Sequence, residues 1–282
     1  KIVKGIFFFL MENIKSFSYI TERLRSFFQG RMEFVEVPAQ SRLSILAACE
    51  DPSTISPFIF GGVKYPLPQT GQMWLEYELL KNPDISGVFC QTTSYRDEPN
   101  PKPGRHDKVF PMFEFEARGD MEDLKKLESE LLIHLGFPKP VTVDYEEMCE
   151  KYKVNEVDDE CEERIGKDYG TSVILERFPL RSHPFWNMKH HEDGIFNKVD
   201  ILLHGMETTG GAERSTNVDE MRENFLSISD GEYSKLLFDK FGEKRVMEEL
   251  EDYLSLPMFP RFGTGIGITR LERAMNLSGL LK

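Results

Sequence analysis

The chain has 282 residues, 40% of them hydrophobic and 12% aromatic, which is enough to bury a substantial core and excludes the disordered and collagen-like classes. A formal charge of −13 argues against binding polyanions with the whole surface, although a local basic groove can sit in an acidic body. Cys49, Cys90, Cys149 and Cys161 stand far apart with no CxxC pair or Cys/His cluster, which excludes a zinc ribbon and a disulfide framework and suits a reducing, cytoplasmic setting.

In chain order, Lys1–Leu10 is a short apolar run without a small-residue cleavage site, and no stretch is long enough to span a membrane, so residues 1–13 read as an N-terminal extension. Apolar residues at Ile14, Phe17, Ile20, Leu24, Phe27 and Phe28 predict a helix over Ile14–Gln29, followed by a strand, Phe34–Val37, stopped by Pro38. Trp74–Leu80 predicts a helix. Val88–Tyr95 and Val109–Ala117 predict strands around the proline-rich loop Pro99–Gly104. Helices follow over Met121–Gly136 and Tyr145–Lys153, then strands at Ser172–Leu175 and Lys198–Leu203, and a largely helical stretch, Phe225–Leu254. A Gly-rich strand, Phe262–Ile268, leads into a helix starting near Thr269. With no linker or internal repeat, the pattern predicts one domain over residues 14–282, of the α+β class, with an antiparallel sheet flanked by helices.

Three segments carry chemistry. The first runs Tyr95-Arg96-Asp97-Glu98, then the proline loop, then Arg105-His106-Asp107-Lys108-Val109-Phe110 and on to Glu116. Strand alternation would put Arg96 and Glu98 on one face, where an arginine can hold a phosphate oxygen and a carboxylate together; Arg105 and His106 sit to meet further phosphates, and Phe110 to stack. In the second, Phe262-Gly263-Thr264-Gly265-Ile266-Gly267, glycines such as Gly265 and Gly267 admit a ligand close to the backbone, and the following helix presents Arg270 toward it. The third, Val199 to Arg214, offers Asp200 and Glu207 as oxygen ligands for Mg²⁺ and Arg214 as a cation for a substrate side chain. His134, His183, His190 and His191 read as structural or surface residues.

These segments, in this order, resemble motifs 2 and 3 of the class II aminoacyl-tRNA synthetases with the acidic strand between them, closest to the aspartyl/asparaginyl/lysyl subgroup. Phe27-Phe28 through Pro38 resembles motif 1, whose helix, strand and proline form a homodimer interface in that family. The resemblance covers roughly Ile14 to Met275. It implies that the chain binds ATP with Mg²⁺ and forms an acyl-adenylate. Arg96 would grip the α-phosphate and the α-carboxylate, Glu98 the adenine amino group and Phe110 the adenine face; Arg105, His106 and Arg270 would hold the distal phosphates, and Asp200 and Glu207 the Mg²⁺.

Gly210-Gly211-Ala212-Glu213-Arg214 resembles the subgroup's pattern in which the arginine receives an aspartate or asparagine side chain. Leu75 stands where the aspartate enzymes present a lysine, and Gly71-Gln72 with Glu76 resembles the asparaginyl type, so Gln72, Glu76, Arg96 and Arg214 are the expected amino-acid contacts and asparagine is slightly favoured over aspartate. Thr269 replaces the acid that precedes the motif 3 arginine, little chain follows motif 3, and nothing as long as an anticodon-reading OB-fold precedes motif 1. The expected function is therefore an AMP-forming ligase that activates asparagine or aspartate and passes it to a non-tRNA acceptor such as ammonia, as in the free-standing asparagine synthetases that resemble this core. A minimal asparaginyl- or aspartyl-tRNA ligase is the alternative, and a catalytically idle nucleotide- or amino-acid-binding paralogue the second.

Overall fold

The computed structural model describes residues 14–39, 44–46, 50–182, 184–191 and 193–281; the expected extension 1–13, Cys49 and His183 lie outside them. In chain order the elements are α1 (Ile14–Arg25), β1 (Val35–Glu36), β2 (Pro57–Phe60), β3 (Val63–Pro66), α2 (Gln72–Lys81), β4 (Gly87–Tyr95), β5 (Val109–Arg118), α3 (Met121–Leu135), β6 (Val141–Asp144), α4 (Tyr145–Tyr152), α5 (Asp159–Tyr169), β7 (Ser172–Pro179), β8 (Ile195–Leu203), β9 (Glu207–Arg214), α6 (Val218–Ser227), α7 (Glu232–Phe241), α8 (Glu243–Leu254), β10 (Arg261–Gly267) and α9 (Ile268–Leu277). Eight strands form one sheet in the order β1-β4-β5-β10-β9-β8-β7-β6, and β2 with β3 makes a separate hairpin. The sheet is antiparallel through its six central strands, as expected, but its outer joins, β1 to β4 and β6 to β7, are parallel. Among the described residues no helix is long and apolar enough to cross a membrane.

Strand alternation gives the sheet two unlike faces. On one, Phe89, Phe113, Phe115, Phe262, Ile266, Val199 and Ile201 pack against Ile20, Leu24, Leu124, Leu131, Leu271 and Met275 of α1, α3 and α9 to make the main core. Phe28, on the π-helical turn after α1, stacks 5.3 Å from Phe113 and packs 4.7 Å from Phe115, so the expected single helix over Ile14–Gln29 instead widens after Arg25 to bring this ring under the sheet. The other face carries the polar residues of the same strands. Over it lie α2, through Leu75 and Leu79 on Val88 and Cys90, and a separate helical cluster of α6, α7 and α8 around Trp186.

Phe225–Leu254, read from sequence as largely helical, is three helices that begin earlier, at Val218. Positive φ at Ser229 and Asp230 (53° and 54°), then at Gly231 and Gly242 (80° and 91°), turns the chain between them. Each short helix thereby aims its own apolar face into the cluster around Trp186, with Phe225 and Tyr253 edge-on to the indole and Leu237 in the same cluster, which one straight rod could not do. A similar local cause starts α3: the Asp120 carboxylate accepts from the amides of Glu122 and Asp123, Asp123 returns the bond to Asp120, and Gly136 ends the helix at a φ of 103°.

Two glycines of β10, Gly263 and Gly265, are forced by packing. A Cβ at Gly263 would sit 1.9 Å from the buried Glu116 carboxylate, whereas one at Gly30, after α1, meets nothing within 4 Å. Gly263→Ala is therefore expected to destabilise the chain by about 1–3 kcal/mol through overpacking, while Gly30→Ala stays neutral or slightly stabilising, both read as shifts in urea midpoint.

Candidate active site

Two strands supply a floor with almost no side chains. Gly265 of β10 lies opposite Gly210 of β9, and Gly267 continues the lane toward α9. Above this floor opens a cleft lined by Arg96, Glu98, Arg105, His106, Phe110, Glu207, Gly265, Gly267 and Arg270. All nine residues read from the sequence as nucleotide contacts thus line one space. A second cavity adjoins it and is lined by Gln72, Glu76, Asp200 and Arg214. Arg96, Glu207, Gly210 and Gly265 line both, so Arg96 stands at the seam.

Arg96 and Glu98 reach the cleft by a different route from the expected strand alternation, because β4 ends at Tyr95. Beyond it the Arg96 amide donates to the Lys108 carbonyl (2.7 Å), which carries the pairing of β4 with β5 one step past the strand. The Arg96 guanidinium is ion-paired with Glu50, which raises its pKa, and stands 5.6 Å from the centroid of the Phe110 ring. Its Nε is buried without a hydrogen-bond partner. His106 Nδ1 lies 3.0 Å from Glu98. Arg105 points toward α5, pairing with Asp159 (2.8 Å) and Glu162, and Lys102 of the proline loop pairs with Asp159 as well. Arg270 donates to the Glu207 carbonyl (2.8 Å) and side chain (3.2 Å).

Asp200 and Glu207 converge. A Cβ at Gly210 would be 3.3 Å from Asp200 Oδ1 and 3.2 Å from Glu207 Oε1, and Asp200 Oδ1 is buried without a hydrogen-bond partner. Burial pushes Asp200 up to about 6; the Lys198 ammonium pulls against that rise and the Glu207 carboxylate adds to it. Two convergent carboxylate oxygens, one of them unpartnered, suit a hard cation that draws its other ligands from phosphate and water. Among the described residues no group of three or more His, Cys, Asp or Glu gathers to hold a metal by protein alone.

In the second cavity Arg214 is buried. It donates to Glu116 (2.5 Å) and to Gln72 Oε1 (3.1 Å), and its Nε lies 3.7 Å from Glu76. Glu76 itself accepts from Asn187 (2.7 Å), Tyr253 (2.6 Å) and Arg261 (2.8 Å). Burial would raise its pKa, but Arg261 and Arg214 outweigh that and hold it below the usual carboxylate range. Glu76 therefore reaches the pocket as the anchor of Arg214, its oxygens already engaged. Burial pushes Glu116 the other way, upward.

Sequence reading missed Glu50, Glu114, Glu116, Asn187 and Lys198. The two glutamates had a signal: Phe113-Glu114-Phe115-Glu116 alternates, so core phenylalanines on one face fix both acids on the other. Glu114, fully buried, accepts from Thr70 (2.5 Å), the Gly71 amide (2.7 Å) and Thr92, holding the start of α2 on the sheet. Of the histidines, His134 bonds the Arg23 carbonyl (3.1 Å), His190 pairs with Glu220 (2.5 Å) and His191 with Asn197 (2.8 Å); none of the three lines either cavity.

On the far side of the sheet Glu128 of α3 accepts from Thr264 (2.9 Å), and burial pushes its pKa up to about 8. A carboxyl raised on folding binds its proton more tightly in the native state. Its stabilisation is complete below the unfolded value near 4.5 and is lost as pH rises through about 8. Between pH 5 and 9 the urea midpoint of Glu128→Gln should accordingly fall less than that of the wild type.

A family model described as tRNA synthetases class II (D, K and N) matches residues 9–279. The aspartate–tRNA(Asp) ligase of Pyrobaculum aerophilum is 28% identical over 141 residues, 47% of this chain and 30% of that protein. A lysine–tRNA ligase of Mycobacterium tuberculosis is 28% identical over 122 residues, 42% of this chain and 22% of that protein. The chain thus spans less than a third of the length of these curated relatives. In three dimensions it is similar to the asparaginyl-tRNA synthetase of Pyrococcus horikoshii complexed with asparaginyl-adenylate, with a TM-score of 0.74 and 18% identity over 92% of this chain and 65% of that one. The aspartyl-tRNA synthetase of Entamoeba histolytica gives 0.66 and 18%, over 92% of this chain and 54% of that one. At such identities the likeness is one of fold.

Proposed function

The chain belongs to the class II tRNA synthetases of the D, K and N group, and on that premise we propose that it is an ATP-dependent, AMP-forming ligase that activates asparagine or aspartate as an acyl-adenylate. The observation that carries this reading is Arg96 at the seam of two joined cavities, one lined by residues suited to a nucleotide and one by Arg214 and Gln72. An adenylate is an amino-acid carboxyl joined to an α-phosphate, so its forming bond belongs where those spaces meet.

In the reaction a carboxylate oxygen attacks the α-phosphorus and pyrophosphate leaves. The carboxylate is ionised at neutral pH and needs no base, so catalysis rests on position and charge. Arg96 exchanges Glu50 for the carboxylate and the α-phosphate. Phe110 carries the adenine face and Glu98, oriented by His106, its amino group. Arg270, with Arg105 and His106, meets the outer phosphates. Asp200 and Glu207 would hold Mg²⁺, which neutralises phosphate charge when bound. Arg214, balanced by Glu116 and Glu76, turns toward the substrate side chain, and this balance suits an amide better than a second carboxylate. The exposed Val35 on edge strand β1 supports a homodimer through the motif 1 segment.

For the acceptor we favour a small nucleophile such as ammonia, which displaces AMP from the adenylate to give an amide; where aspartate is seated in reverse, with its β-carboxylate at Arg96, that amide is asparagine. Supporting this, Lys102, the proline-loop cation suited to an RNA acceptor end, is paired with Asp159 of α5. A tRNA acceptor is the second reading, favoured by the family match itself.

Amino-acid-dependent ATP–pyrophosphate exchange, screened without RNA and followed by addition of ammonia or tRNA, tests both steps. Exchange with asparagine or aspartate alone is expected, and exchange with no amino acid would overturn the reading in favour of an idle paralogue. Arg96→Ala should lower exchange by about 100-fold or more with the fold intact by circular dichroism. Leu75, read from sequence as standing where the aspartate enzymes present a lysine, is instead fully buried against Val88 and Cys90 and lines neither cavity, so Leu75→Lys is expected to lower the urea midpoint by burying an unpaired charge and not to add a cation to the side-chain pocket.

A further inference from the structure

Lys198 has no counterpart in the reading of the site so far. Strand alternation on β8 puts it on the cleft face with Asp200, opposite Ala212 of β9, whose small side chain leaves room for the lysine stem. Its Nζ lies 3.0 Å from Asp200 Oδ2 and 3.9 Å from the centroid of the Phe178 ring. An ion pair on one side and an aromatic face on the other fix the ammonium in place, and its side chain is only 22% exposed.

This divides the two oxygens of Asp200 between different duties. Oδ2 is taken by Lys198, while Oδ1 is buried, unpartnered and aimed with Glu207 Oε1 over Gly210. A divalent ion seated on Oδ1 is compatible with that arrangement. A second ion on Oδ2 would need the place the ammonium occupies, and chelation of one ion by both oxygens would press it against a fixed positive charge.

We propose that Lys198, on the wall of the second cavity, is a built-in cation beside the metal site, which neutralises Asp200 and confines Asp200 and Glu207 to a single divalent ion on the Oδ1 side. The proposal rests on Asp200 and Glu207 being the metal ligands. Lys198 then takes the place of a further metal ion on Oδ2, with a charge that is permanent, and it weakens the capture of metal ahead of the nucleotide.

Mn²⁺ titration of the whole chain, followed by the electron paramagnetic resonance of the free ion, reads this without turnover. The titration is run alone and with α,β-methylene-ATP, whose α–β link is not cleaved. Lys198→Met and Lys198→Gln should bind Mn²⁺ about ten-fold more tightly than wild type, the scale of one like charge a few ångströms away. With the analogue bound they should take up one more ion per chain than wild type. Lys198→Arg, which keeps the charge, should stay close to wild type. Asp200→Asn should bind more weakly. Affinity and stoichiometry unchanged in both neutral variants, with Asp200→Asn still weakened, would overturn the role of Lys198 alone. Binding indifferent to Asp200→Asn would remove the ligand assignment beneath it.

Discussion

A buried row of alternating charges, Glu116, Arg214, Glu76 and Arg261, is the constraint on which the site depends. Its members come from β5, β9, α2 and β10, the elements that wall the smaller cavity. Each ion has left water at an effective cost of several kcal/mol, which is recovered only while every neighbour of opposite sign stays in place. A shift of α2 along the sheet would strand Arg214 and Arg261 together. Glu114 adds a second tie, accepting the Gly71 amide at the helix start, so Gln72 and Thr70 are carried into position by the same requirement. Apolar packing of Leu75 and Leu79 holds the helix down, but it would tolerate a slip that the charges forbid.

The glycine lane follows from this row. Arg261, Gly263, Gly265 and Gly267 share one face of β10, and each position is set by what lies above it. Arg261 closes the charge row. Gly263 leaves its volume to the Glu116 carboxylate, and Gly265 lies beneath Met112 and Gln72, where a Cβ would come within 2.9 Å of the methionine. Gly267 meets only the Thr208 carbonyl and the Arg270 side chain at 3.7 to 3.9 Å, so there the missing Cβ widens the mouth of the cleft. One strand thus passes from structural ion pair to open floor in seven residues, and glycine serves a different need at each step.

Much of this was legible in the sequence where the signal was local. The strings around Arg96, Asp200 and Gly265 marked residues that the fold brings to two adjoining cavities, and most central elements were placed within a few residues. What was not legible depended on contacts distant in the chain. Glu76 read as a free amino-acid contact, yet Asn187, Tyr253 and Arg261 engage both its oxygens across separations that no periodicity reports. The breaks at Ser229, Asp230 and Gly242 answer to the position of Trp186, which belongs to another part of the chain. Both edge strands, β1 and β6, are too short to show alternation, and their parallel pairing is decided by the helices that return the chain to the sheet.

The electrostatics of the cleft reconcile an acidic chain with an anionic ligand. Nearly every cation there already has a carboxylate partner: Arg96 has Glu50, Arg270 has Glu207, Arg105 has Asp159 and Glu162, Lys198 has Asp200. A triphosphate entering this space does not find free positive charge; it must exchange one anion for another. Such an exchange gains little from Coulombic attraction alone, since the displaced carboxylates remain nearby and repel the newcomer. On the proposed reading the exchange would become favourable when the phosphates arrive with a divalent ion, since Glu207 would help to hold that ion and Arg270 would meet phosphate. The acids of the cleft would then favour nucleotide in its metal-bound form over bare polyanions, which would let a body of net charge −13 hold a phosphate site without becoming a general polyanion binder.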